Sequence, residues 1–177
     1  MPLISAIRGL PVAGRTGRLL GTVSEVLFHP SEPRVIGLQV APPAFLYVLS
    51  RAPRFLPLTR VAVWGAEAIG ASSRLPSKRA GEREIGAAWD DTVIWRGMPV
   101  LSQGGTAAGR VADAGFTKVS GRVTRVLLTG GVVNDVAFGA REVAGELVIG
   151  FEPGAPGGGA VRVADAALDA SLPGGAV

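Results

Sequence analysis

The stretch RGLPVAGRTGRLLGTV, from Arg8 to Val23, returns as RGMPVLSQGGTAAGRV, from Arg96 to Val111. Arg, Gly, Pro, Val, Gly, Gly and Val fall at matching places, and Gly97 and Gly109 follow Gly9 and Gly21 by the same 88 residues. Self-similarity at a fixed period is the mark of one folding unit written twice. In a chain of 177 residues it leaves room for two small domains and little else.

Within each copy the apolar residues come in short runs with period-2 character, broken by Gly and Pro. LLGTVSEVLF (Leu19 to Phe28), HPSEP and RVIGLQV (Arg34 to Val40) read as strand, turn, strand. Pro30 and Pro33 exclude a helix across the gap. AAGRVADAGF, TKVSG and RVTRVLL repeat that arrangement from Ala107 to Leu128, with Arg122 and Val123 matching Arg34 and Val35. Further strands are expected at Arg54–Gly65 and Ala68–Ser72, then at 132–140, 145–153 and 159–168 in the second copy, where the match is looser. Gly17 and Gly105 suit the turn between the first two strands, where positive φ is common. Gly21 and Gly109 lie inside apolar runs, which marks a bulge or a tight bend of a curled sheet.

The fold class is therefore all-β: two small β-barrels in tandem, closed so as to remove the sheet edges that a domain of this size must protect. The first spans residues 1–75 and the second 92–177. Between them LPSKRAGEREIGAAWDD concentrates charge and lacks strand pattern, so residues 76–91 form a charged linker with one helical turn near Glu82 to Ala88.

The residues that organise the first copy are Gly9, Pro11, Val12, Gly17, Gly21, Val23, Phe28, Val35, Gly37, Leu38, Leu56, Pro57 and the run from Val61 to Ile69. This pattern resembles the PRC-barrel family, the small barrel of the cytoplasmic part of the reaction-centre H subunit and of the C-terminal half of the bacterial ribosome-maturation factor. The second copy keeps Gly97, Pro99, Val100, Gly105, Gly109, Val111, Asp113 and Phe116, then departs, without an obvious FLPL segment and with EPGAPGGGA added. The resemblance implies five to six strands per copy, no catalytic residues, and a role in binding or assembly. Gly9, Pro11, Gly17, Gly21, Phe28, Gly97, Pro99, Gly105, Gly109 and Phe116 are fold-defining positions in this reading.

Signs of chemistry are sparse. Without cysteine and with His29 alone in a turn, no zinc or haem ligand set can be assembled, and no catalytic, cofactor or metal residue is assigned. PGAPGGGA lacks the Lys and the Ser/Thr of a phosphate-binding loop. No stretch approaches the apolar length needed to cross a bilayer, so no membrane insertion is expected and a cytoplasmic location is.

Residues 1–80 hold ten Lys and Arg against three acids, which suits an anionic partner. Candidate partner-binding residues are Tyr47, Arg51, Arg54 and Arg60, where arginines sit beside aromatics, together with Trp89 and Trp95. The two tryptophans flank the linker and either pin the barrels together or anchor a partner. The expectation is a non-enzymatic protein–protein adaptor, with an RNA- or ribosome-associated factor as the alternative. Tandem copies can stand in for a homodimer or extend one.

Overall fold

The computed structural model describes residues 1–43, 52–72, 74–130, 141–154 and 159–169. The first half forms β1 (Pro11–Ala13), β2 (Leu19–Phe28), β3 (Val35–Ala41), β4 (Arg54–Pro57), β5 (Val61–Trp64) and β6 (Ile69–Ala71). The second forms β7 (Pro99–Ser102), β8 (Ala107–Phe116), β9 (Val123–Thr129), β10 (Arg141–Ala144), β11 (Val148–Glu152) and β12 (Ala160–Val163). Among the described residues three α-helices accompany them, α1 (Ile4–Ile7), α2 (Lys78–Ile85) and α3 (Ala166–Asp169).

Each half is one six-stranded sheet, in the orders β4-β3-β2-β1-β6-β5 and β10-β9-β8-β7-β12-β11. Neighbours are antiparallel except β1 with β6 and β7 with β12. The protein is thus mostly β with tandem barrel-like domains, but full closure is not reached. Among the described residues no ladder joins β4 to β5 or β10 to β11. A 3-10 turn, Leu58–Arg60 or Gly145–Leu147, carries the chain from one to the other instead. It also breaks the single strand expected over Arg54–Gly65.

The copies agree in irregularities as well as in strand order. Register shifts fall between Val12 and Ala13 and between Val100 and Leu101, at the positions where β2 and β8 bend. In both cases the residue opposite is a glycine, Gly21 against Val12 and Gly109 against Val100. A Cβ on Gly21 would lie 2.0 Å from the Ala41 carbonyl oxygen, and one on Gly109 would lie 2.8 Å from that of Thr129. Close approach of the third strand therefore demands glycine there, and the bend follows from it.

The second copy also keeps its final strands, where the sequence departs most. Arg141–Ala144 takes the place of Arg54–Pro57 and pairs with β9 as β4 pairs with β3. Two positions are alike: the leading arginine, Arg54 and Arg141, and the inward residue, Leu56 in one and Val143 in the other, both buried. On the outward face Phe55 is covered by α2, whereas its counterpart Glu142 is exposed near Arg125. The strand expected at 132–140 lies outside the described residues. That expected over 159–168 is β12, followed by α3.

The two halves share one continuous apolar core. They meet about a local two-fold: Arg34 and Arg122, equivalent residues, face each other in an antiparallel bridge. Val35 N–H donates to the Gly121 carbonyl at 2.8 Å, and Val123 N–H to the Pro33 carbonyl at 3.0 Å. The arms preceding the sheets are exchanged. Val93 pairs with Phe28 through both backbone bonds, while Phe116 N–H donates to the Pro2 carbonyl and Leu3 bridges Gly115.

Candidate functional site

The linker is stitched to the first sheet, and three of the expected partner-binding residues do the stitching. α2 spans two turns, longer than expected, and stops at Gly86 in the left-handed conformation. Gly81 faces the Phe55 ring, so closely that a Cβ would be 3.0 Å from it. The Arg60 guanidinium pairs with Glu84 at 2.7 Å, whose other oxygen accepts the Thr59 hydroxyl. Arg54 donates to the carbonyls of Leu75 and Pro76. Trp89, half-buried, tilts over Phe55 at 5.7 Å.

Trp95 is fully buried, stacked on Phe28 from the other half. It pins the halves together and has no surface to offer a partner, which removes it from the partner-binding residues. Trp64 meets Phe116 edge-on at 5.8 Å, again across the two halves. Tyr47 and Arg51 lie outside the described residues.

Of the fold-defining residues, Gly9, Gly17, Gly97 and Gly105 all have positive φ, and Phe28 and Phe116 end β2 and β8 at zero exposure. Pro11 and Pro99 open β1 and β7.

Most polar groups in the interior serve the scaffold. Asp113, buried at 8% exposure, accepts the Ser5 N–H at 3.1 Å, the Ser5 hydroxyl and the Ala114 N–H. Arg8 donates to the Ser24 carbonyl and to Glu25. His29 Nδ1 accepts the backbone N–H groups of Ser31 and Glu32, the ordinary work of a turn histidine. Two carboxyls sit below the usual range, Glu32 through its bond from Arg34 and Asp165 through the Gly104 N–H, then Ser102. The Lys78 ammonium is held above its usual value by Asp90. An open depression of about 450 Å³ lies at the end of α2, lined by Arg79, Glu82, Arg83, Gly86, Ala87 and Ala88. Among the described residues no helix is long and apolar enough to cross a membrane.

The outer face of the first sheet carries a feature that sequence reasoning missed. Leu19 on β2 pairs with Ala13 on β1, Ala13 with Gly70 on β6, and Gly70 with Val63 on β5. Their neighbours Val12 and Ile69 point inward at zero exposure, so this row faces out, and Leu19 and Val63 are 46% and 58% exposed. Gly70 leaves room for Val63, which a Cβ there would crowd at 2.9 Å. The equivalent row of the second sheet runs Ala107, Leu101, Arg162 and Gly150. There Arg162 pairs with Glu152, and Gly150 is buried, a Cβ on it meeting the Ser31 carbonyl at 2.1 Å. The only sequence signal is the outward parity of these strands.

Comparison with protein families matches residues 3–68 to the PRC-barrel domain. Comparison with curated proteins finds no match. The matched region runs from α1 to the turn before β6, and the second sheet repeats its strand order, its first register shift and its 3-10 corner. Residues 3–68 thus resemble a PRC-barrel domain, and the second half repeats the architecture of the first.

Proposed function

We propose that the protein is a non-catalytic binding module, an adaptor that holds a protein partner on a rigid, internally paired scaffold. The observation that carries this reading is where the polar side chains go. Asp113, Ser5, Arg8, Arg54, Arg60 and Glu84 are spent on joining arm to sheet, linker to sheet and half to half. What remains for function is surface, presented by two sheets that cannot move independently while they share a core. Fold by itself does not imply a partner, so the reading rests on this use of side chains.

A second reading, association with RNA or ribosomes, is favoured by the cations of the first half and linker. Arg15, Arg18, Arg79 and Arg83 are exposed and enter no ion pair among the described residues. Binding through them would weaken steeply with salt. Affinity purification of the tagged protein from its own cells, with and without ribonuclease, separates the two. A defined protein retained after nuclease and moderate salt supports the adaptor. Loss of all partners on nuclease treatment supports RNA, and turnover of a substrate by the purified protein overturns both.

A further inference from the structure

We infer that the outer row of the first sheet, Leu19, Ala13, Gly70 and Val63, is a docking surface for an acidic protein segment bearing apolar side chains. The inference deepens the adaptor reading and rests on it. Its force comes from the second half, which is the same architecture in the same chain and so serves as an internal control. A sheet of this shape needs no apolar outer row, because the second sheet places Arg162 at the position of Gly70, tied to Glu152 and to the Ser102 carbonyl. At the edge strand the contrast is sharper. Gly150 is covered by the Ser31 carbonyl of the opposite half, whereas its counterpart Val63 stays open, and Val119, equivalent to Ser31, is 93% exposed. The first sheet thus leaves uncovered what the second has filled.

Cross-strand neighbours on one face lie close enough to act as one contact surface. Two large exposed aliphatics flanking an alanine and a glycine make a flat strip with raised ends, suited to the side chains of an extended or helical segment. Its charge selects the partner. The β1–β2 turn at the end of the row carries Arg15 and Arg18, both exposed and in no ion pair among the described residues. The matching turn of the second sheet is Gln103 to Thr106, without a cation, and its Gly104 N–H is already taken by Asp165. Apolar contact bordered by unpaired arginines fits carboxylates placed beside aliphatic or aromatic residues.

The test is selection of a displayed library of random short peptides on the immobilised full chain, followed by titration of enriched peptides. Enriched peptides rich in Asp, Glu and apolar residues are expected. Their affinity should fall about tenfold or more in Leu19→Glu, in Val63→Glu and in the Arg15→Glu, Arg18→Glu double variant. Ile149→Glu, on the equivalent strand of the second sheet and 46% exposed there, should leave it unchanged. All four variants change exposed side chains, and near-UV circular dichroism checks that each keeps its packing. Peptides that bind Leu19→Glu and Val63→Glu as tightly as the native chain would overturn this surface while leaving the adaptor reading intact. No enrichment would overturn it as well. Retention on phosphatidylglycerol vesicles, lost in the same two variants and unmatched by any peptide, would assign the row to lipid and overturn the proposal. Failure of the adaptor reading shows separately, as the absence of a nuclease-resistant protein partner in cells.

Discussion

Trp95 lies flat on Phe28, ring centroids 4.2 Å apart and planes within 6°, and neither residue has exposed surface. The stack joins the arm of the second half to the last residue of β2 in the first. Removing it with Trp95→Ala should cost about 3–5 kcal/mol, the usual range for deleting a buried aromatic. Because the core is shared, denaturant unfolding followed by probes in each half should stay a single coincident transition, shifted to lower denaturant. Trp95→Phe should cost less, since the indole N–H has no acceptor among the described residues and its loss is no penalty.

Gly121 and Gly9 make a controlled comparison. Both have left-handed φ, +71° and +84°, but nothing lies within 4 Å of a Cβ on Gly9, while one on Gly121 would sit 2.0 Å from the Val35 carbonyl oxygen. Gly9→Ala should carry only the backbone cost, about 1–2 kcal/mol. Gly121→Ala must also push apart the strands that meet at Arg34 and Arg122, so its loss in unfolding free energy should be clearly larger. Equal losses would mean that the two-fold contact adds little.

Asp113 tests the arm exchange on the opposite side. In Asp113→Ala the Ser5 and Ala114 N–H groups lose their acceptor, which should cost about 1–3 kcal/mol. Amide hydrogen exchange should report the loss first at Ser5, where the N-terminal arm docks on β8.

Asp165 predicts a pH dependence with a definite sign. The Gly104 N–H holds its carboxyl below the usual aspartate value. The contact is therefore fully present above the ordinary value of 3.8 and is lost as pH falls through the depressed one. The Gly104 amide shift should titrate with a midpoint below 3.8, and Asp165→Asn should abolish that titration. A midpoint at or above the ordinary value would contradict the hydrogen bond.

Cutting the chain within the linker probes the pairing itself. A protease site placed at Ala87 and Ala88, beyond α2, should leave two fragments that elute as one species, held by the exchanged arms and the shared core. Fragments that separate under native conditions would show that the linker, rather than the interface, keeps the halves together.

Much of this fold was legible because its determinants are local. The paired glycines, the alternation of β2 and β8 and the prolines in the hairpin each constrain their own few residues. They announce two copies of one β-unit without reference to anything distant. The final strands of the second copy were harder. Glu142 stands where Phe55 stands because α2 covers only the first, and a pattern tied to such a neighbour cannot be read before the neighbour is placed. The same holds for Arg54, Arg60 and Trp89. Arginine beside an aromatic looks alike on paper whether it awaits a partner or fastens a linker, and here Glu84, the Leu75 carbonyl and Phe55 take them up. The row from Leu19 to Val63 left no motif, because it is assembled across four strands, one residue from each.

By itself, then, the sequence determined the all-β class, the duplication and the first three strands of each copy, since backbone preference and side-chain parity act over a few residues. Tertiary structure decided that the sheets stay open between β4 and β5, that the arms cross to the opposite half, that Trp95 is core, and which outer face remains bare. Those outcomes depend on which distant surfaces meet, and the free energy of such contacts belongs to pairs of segments, not to either one alone.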